Sequence, residues 1–345
     1  MMRKIPFLTL LLIFVSASVS AQLAVRGRKV YTMAGPVVED GIVIIRDGKI
    51  SAIGKAADIA VPDGFKVLEA AVVTPGLIDA HSVVGLAGYF NHQHDQDQLE
   101  RSSPIQPELR AIDSYNTREP LIEWVRGYGV TTLHTGHAPG ELISGQTMIV
   151  KTRGNTVDEA ILVPTAGIAL TLGPSSTRGG GKSPGSRGKQ MAMLRAKLLE
   201  AKAYMESLEK AAKAPEKKKD EKAEGKGEKK IARTPVNLAL EALSSALRKE
   251  VPLVITAHRA QDIATALRLR REFDLRIILD GGAEAYLLTE ELKKADVPVI
   301  IHPSMARFSG ELENASFETA SLLKKAGIRV TIQSGYESYV PKTRV

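Results

Sequence analysis

Val72-Val73-Thr74-Pro75-Gly76-Leu77-Ile78-Asp79-Ala80-His81 divides this 345-residue chain into two regions of different character. Upstream, from Lys29 to Val73, short apolar runs alternate with turn punctuation. Gly35-Pro36, Asp40-Gly41 before Ile42-Val43-Ile44-Ile45, and Asp47-Gly48 before Lys49-Ile50-Ser51-Ala52-Ile53-Gly54 predict a small antiparallel sheet. Downstream of Ser82, apolar strands alternate with helical stretches, the pattern of a parallel sheet covered by helices. It is clearest near the end, with strands predicted at Leu253-Val254-Ile255, Arg276-Ile277-Ile278-Leu279, Val299-Ile300-Ile301 and Val330-Thr331-Ile332. Helices are predicted between them, around 260–273, 283–295 and 315–326.

Composition narrows the function classes. The formal charge of +8 points toward nucleic acid or an anionic membrane only if it is spread over the folded body. It is not: residues 182–233 carry 16 Lys/Arg against 8 Asp/Glu, and the remainder holds 31 of each sign. No nucleic-acid partner is expected. Residues 178–233 read as an insertion that opens with Arg178-Gly179-Gly180-Gly181 and continues as a helix-compatible stretch from Gln190 to Lys213. It ends in a Lys/Glu/Gly tract, Pro215 to Lys230, too poor in apolar residues to offset the entropy of ordering itself. At the N-terminus, Arg3 and Lys4 precede an apolar run from Ile5 to Val15 and the small residues Val19-Ser20-Ala21. Residues 1–21 therefore read as a cleaved secretory signal, too short to span a bilayer, and the mature chain is expected in the periplasm or outside the cell. With no cysteine, thiol catalysis and disulfides are excluded.

The Pro75-Gly76-Leu77-Ile78-Asp79-Ala80-His81 run resembles the segment by which amidohydrolase-superfamily enzymes enter their first barrel strand. Glu39-Asp40-Gly41 and Asp47–Gly54 resemble that family's N-terminal sandwich strands, and Gly129-Val130-Thr131-Thr132 its second barrel strand. The imidazolonepropionase-like subgroup is the most similar. The resemblance implies an α/β fold: a (β/α)8 TIM-type barrel over residues 76–345, interrupted at 178–233, with a small β-sandwich segment over 22–75. The eighth strand finishes near Gln333 and the sequence stops at Val345, without the return strands that complete such a sandwich. The C-terminal part of that composite domain is therefore expected to be missing.

The resemblance also implies a hydrolase of linear or cyclic non-peptide amides, in which one or two divalent ions acidify a water and a strand-eight Asp takes its proton. Checked position by position, this chain departs from that pattern. The first strand, expected to end in His-x-His, has His81-Ser82-Val83. The fourth, Gly167–Leu172, offers neither Lys nor Glu. The fifth has Thr256-Ala257-His258, keeping one imidazole. The sixth has Leu279-Asp280-Gly281-Gly282 where a His is expected, and the eighth has Gln333-Ser334-Gly335 where an Asp is expected.

His81, with His258, remains as a metal candidate, too few for a tight first-row site without further ligands. His134, His137, His258 and His302 are candidate mouth residues for a small-molecule substrate or ligand. Asp280 is a candidate replacement base. The loop Asn91–Asp97 is rich in potential ligands but reads as solvated, and Gly136 and Gly140 read as shaping a strand-to-helix loop. Two functions stand: a C–N hydrolase working through a rebuilt site with one divalent ion such as zinc or none, and a non-catalytic protein binding a ligand or partner at a metal-free mouth.

Overall fold

A computed structural model describes residues 22–90, 92–213, 235–302 and 310–335. The chain divides into two compact units, residues 1–76 and 77–345. No helix among the described residues is long and apolar enough to cross a membrane. The signal segment and the Lys/Glu/Gly tract lie outside the described residues.

The first unit holds β1 (Leu23–Val30), β2 (Val38–Arg46), β3 (Lys49–Lys55) and β4 (Lys66–Val73), in the sheet order β3-β2-β1-β4. β2 and β3 form the hairpin expected from Asp47-Gly48. Both turn residues have positive φ, 53° and 72°, the conformation that a tight hairpin turn needs and that Gly adopts without steric cost. The sheet is not wholly antiparallel: β4 runs parallel to β1, Leu23 pairing with Lys66 and Val30 with Val73. The reason is the connection at 56–65. It carries the chain from β3 back across to the free edge of β1, and its Ala56, Ile59, Val61 and Phe65 pack on the sheet core of Ala24, Ile42 and Ile44.

The second unit is an eight-stranded barrel with α/β character. Its strands are β5 (Leu77–Ser82), β6 (Val130–Gly136), β7 (Ile143–Lys151), β8 (Ile161–Thr171), β9 (Leu253–Ala257), β10 (Ile277–Gly281), β11 (Val299–Ile301) and β12 (Val330–Ile332), in sequential order. A bridge between Ser82 and Gly335 brings the last strand's end back to the first. The helices are α1 (Ala111–Ser114), α2 (Pro120–Gly127), α3 (Val157–Ala160), α4 (Arg187–Lys213), α5 (Leu238–Leu247), α6 (Ala260–Phe273), α7 (Thr289–Lys294) and α8 (Thr319–Lys325). From β8 onward every strand pair is parallel, and the predicted rhythm at 253–332 matches the observed elements closely.

Two features depart from the sequence reading. β7 runs antiparallel to both β6 and β8. Only residues 137–142 link β6 to β7, enough for a strand-to-strand turn but not for a parallel crossover, which needs a dozen residues or more. The loop holding Gly140 therefore joins two strands, not a strand and a helix. The span 178–233 is also more than an insertion. Its first part forms α4, which buries Met191, Leu194, Leu198 and Ala201 in the main core with Leu243 of α5 and the barrel strands. The start of α4 is anchored by Gln190, which is fully enclosed and bonds both the carbonyl and the N–H of Gly173 at 2.7 and 3.2 Å. Arg187 grips the buried Asp262 with two bonds of 2.7 and 3.0 Å.

If α4 is part of the barrel wall, adjacent residues on it should respond oppositely to truncation. Leu198→Ala, in the core, is expected to cost about 2–5 kcal/mol in urea unfolding, and Leu199→Ala, exposed on the same turn, within about 0.5 kcal/mol of the parent. Equal small losses would mean that α4 does not carry the core.

Candidate functional site

In a parallel barrel the C-terminal strand ends converge at one mouth, and active sites of this architecture are built there. In this chain the convergence centres on Asp280, at the end of β10 and wholly buried. Its Oδ2 lies 3.1 Å from Nδ1 of His81 on β5 and accepts a 2.9 Å bond from the Thr256 hydroxyl on β9. Its Oδ1 accepts a 2.7 Å bond from the Gln333 amide, which follows β12. Three donors, from β5, β9 and the end of β12, thus meet on one carboxylate carried by β10. Burying a carboxylate is unfavourable unless it is paired and hydrogen-bonded, and three donors provide that here.

The tautomers follow from these partners. A carboxylate can only accept, so His81 donates from Nδ1–H, and in a neutral ring its Nε2 carries the lone pair. The ring of His134, on β6, stacks on His81 with centroids 5.0 Å apart. His134 lies 2.8 Å from the Ala80 carbonyl through Nδ1 and 2.7 Å from the Thr147 hydroxyl through Nε2. The carbonyl requires an N–H, so His134 is the Nδ1–H tautomer and accepts from Thr147. Burial drives its pKa down to about 3, with the neighbouring His81 acting in the same direction, so it stays neutral.

A second carboxylate closes the barrel. Asp79 on β5 accepts a 2.9 Å bond from the Ser334 N–H and a short bond from its hydroxyl, joining the first strand to the segment after the last. Burial pushes its pKa up to about 6 despite these donors. Val83, standing where the family pattern has a second His, is buried with Ala87 and Ala138 in an apolar cluster against Leu99.

The remaining candidates are distributed around this centre. His258 follows β9 and packs over Gly281, where an added Cβ would lie 2.4 Å from its ring. Gly281, at φ 83°, is thus required both by its backbone and by that imidazole. Burial lowers the His258 pKa, opposed by the charges of Glu311, Asp280 and Asp262, while His302, half-buried at the end of β11, reinforces the lowering. His137 is separate. It is buried at a cavity of about 270 Å³ lined by Asp97, Glu108, Arg110 and Asp113, and burial lowers its pKa. His92 and His94 stack 5.5 Å apart on the surface, with His94 3.3 Å from Asp95, as a solvated loop would place them. Sequence reading assigned no role to Asp79, Thr147, Thr256 and Gln333; Thr256 and Gln333 lie at or just after a strand end, whereas Asp79 and Thr147 lie within β5 and β7 with no such signal.

Both nitrogens of His134 are committed to protein partners, and each oxygen of Asp280 accepts at least one bond, so among the described residues these groups are arranged as a hydrogen-bond network. Among the described residues no group of three or more His, Asp or Glu is placed to hold a metal. Among the described residues, therefore, no third such residue joins His81 and His258 into a metal centre.

No protein-family model matches the chain. It is 41% identical over 68 residues to an imidazolonepropionase of Rhizorhabdus wittichii, covering 18% of this chain and 17% of that protein. It is 29% identical over 115 residues to an imidazolonepropionase of Streptococcus gordonii, covering 28% of this chain and 27% of that protein. The matches thus span less than a third of these curated relatives. A crystal structure of an amidohydrolase from Thermotoga maritima is similar over 90% of this chain and 78% of its own, with 28% identity and a TM-score of 0.80.

The raised pKa of Asp79 makes a linkage prediction. Its folded value of about 6 lies above the ordinary carboxylate value, so its protonated form favours folding. That contribution is fully present below about pH 4 and is lost as pH rises through about 6. Asp79→Asn keeps the acceptor for Ser334 N–H and places an N–H toward the serine hydroxyl, without the titration. The stability of the parent relative to this variant should fall by about 2 kcal/mol between pH 4 and pH 7 in urea titrations. Parallel pH profiles would show that Asp79 is an ordinary carboxylate.

Proposed function

The chain belongs to the amidohydrolase superfamily and is imidazolonepropionase-like in sequence, and from that premise we propose a hydrolase of C–N bonds in linear or cyclic amides other than peptides. The observation that carries the reading is the His81–Asp280 pair at the barrel mouth, 3.1 Å apart. Asp280 fixes the His81 tautomer and stabilises the imidazolium that forms when Nε2 takes a proton from water. The resulting hydroxide adds to the amide carbonyl. The tetrahedral intermediate then expels the nitrogen, which receives the proton back from His81, so that one water is consumed and acid and amine leave. No step is routed through a metal ion. Residues 1–21, with the basic Arg3 and Lys4 before an apolar run, support work in the periplasm or beyond.

A second reading is favoured by a specific observation. His81 and Asp280 are both wholly buried, and Asp280 accepts from three donors, as a structural hub would. Under that reading the mouth binds a small molecule or a partner without turnover.

Hydrolysis of a panel of imidazolone, hydantoin, lactam and N-acyl amides, with and without chelator, separates the two. The hydrolase reading expects chelator-resistant turnover of at least one class. His81→Gln and Asp280→Asn should each lower it about 100-fold or more in variants that still melt cooperatively. No turnover of any class would leave the binding reading standing. Turnover abolished by chelator and restored by zinc would contradict the metal-free route.

A further inference from the structure

The chain has one tryptophan, and it stands in a cluster of aromatic rings on the barrel's outer surface. Trp124 lies on α2 and Tyr128 caps that helix one turn later, their ring centroids 5.6 Å apart and tilted by 52°. Tyr89, in the segment after β5, faces Trp124 at 6.4 Å with the same tilt, and Phe90 meets Tyr89 edge-on at 4.9 Å. Glu119 holds loop and helix in register. Its buried carboxylate accepts a 2.7 Å bond from the Tyr89 N–H and caps α2 by accepting from the N–H of Leu121. Trp124 and Tyr128 nevertheless remain 37% and 44% exposed.

Tyr89, Trp124 and Tyr128, with Pro120, Glu123 and Gly127, line a groove of about 480 Å³. Its chemistry is selective. Tilted aromatic rings present electron-rich faces, and Glu123 adds the only formal charge in the lining. Among the described residues no lysine or arginine contributes to the wall; Arg126, on the same helix, donates to the Thr152 carbonyl. An anion would meet Glu123, and a neutral apolar ligand would leave it unmatched. A primary ammonium keeps its hydration shell, whereas a methylated one spreads its charge over apolar surface and gains from both rings and carboxylate. We propose that this groove is a binding site for a free small-molecule quaternary ammonium compound, separate from the barrel mouth.

Trp124, as the single tryptophan, reports on the groove directly. Titration of the full chain with choline, followed by tryptophan emission, is expected to give a saturable change. Its uncharged isostere 3,3-dimethylbutan-1-ol should bind roughly tenfold more weakly, and sodium chloride at equal ionic strength should produce no saturable change. Glu123→Gln and Tyr128→Leu should each weaken choline binding several-fold, with far-UV circular dichroism and melting temperature close to the parent. A response linear in choline, equal affinity for the isostere, or unchanged affinity in both variants would overturn the proposal. Binding to phosphatidylcholine vesicles without binding to free choline would also overturn it, because the rings would then be a membrane-contact surface.

Discussion

A carboxylate with no exposure must be surrounded by donors, and that constraint on Asp280 organises the mouth of this barrel. Its partners come from β5, β9 and the end of β12, so one side chain draws together strands far apart in sequence. The tautomer of His81 follows from that pairing, and the ring of His134 stacks against His81. The Asp79–Ser334 bonds then close the seam between the first and last strands. Removing Asp280 would leave three donors facing one another in the interior.

This arrangement stands at the C-terminal ends of the barrel strands, where active sites of this architecture are built. Asp280 lies at the end of the sixth barrel strand, Gln333 follows the eighth, and Val83 is buried in an apolar cluster with Ala87 and Ala138. The buried polar groups form a hydrogen-bond network in which satisfied groups support one another and a partly satisfied one would be costly. The fold is that of an amidohydrolase, and the His81–Asp280 pair lies at the mouth of its barrel.

Much of the scaffold was legible in the chain. Asp47-Gly48 announces its hairpin, and the strands and helices between 253 and 332 follow the written periodicity, because local propensity and burial agree there. The partner of a strand is less legible. Nothing local in Lys66–Val73 tells that β4 lies parallel beside β1, and the reversal of β7 is carried by the length of one short link. α4 looked like part of a charged insertion because its apolar residues are diluted by Lys and Glu, yet Met191, Leu194, Leu198 and Ala201 recur at helical spacing and reach the core. At the site, His81 and Asp280 could be singled out from the chain, but their pairing could not, since Asp280 meets a histidine 199 positions away and a glutamine 53 positions away.

The claim that a hydrogen-bond network, not a metal ion, holds the mouth is tested most directly by elemental analysis of the full-length protein purified without chelator, paired with its melting curve. The account predicts zinc, iron and manganese well below one ion per chain and a melting temperature that chelator does not move. One tightly held ion per chain, removed by chelator with a fall in melting temperature, would contradict it.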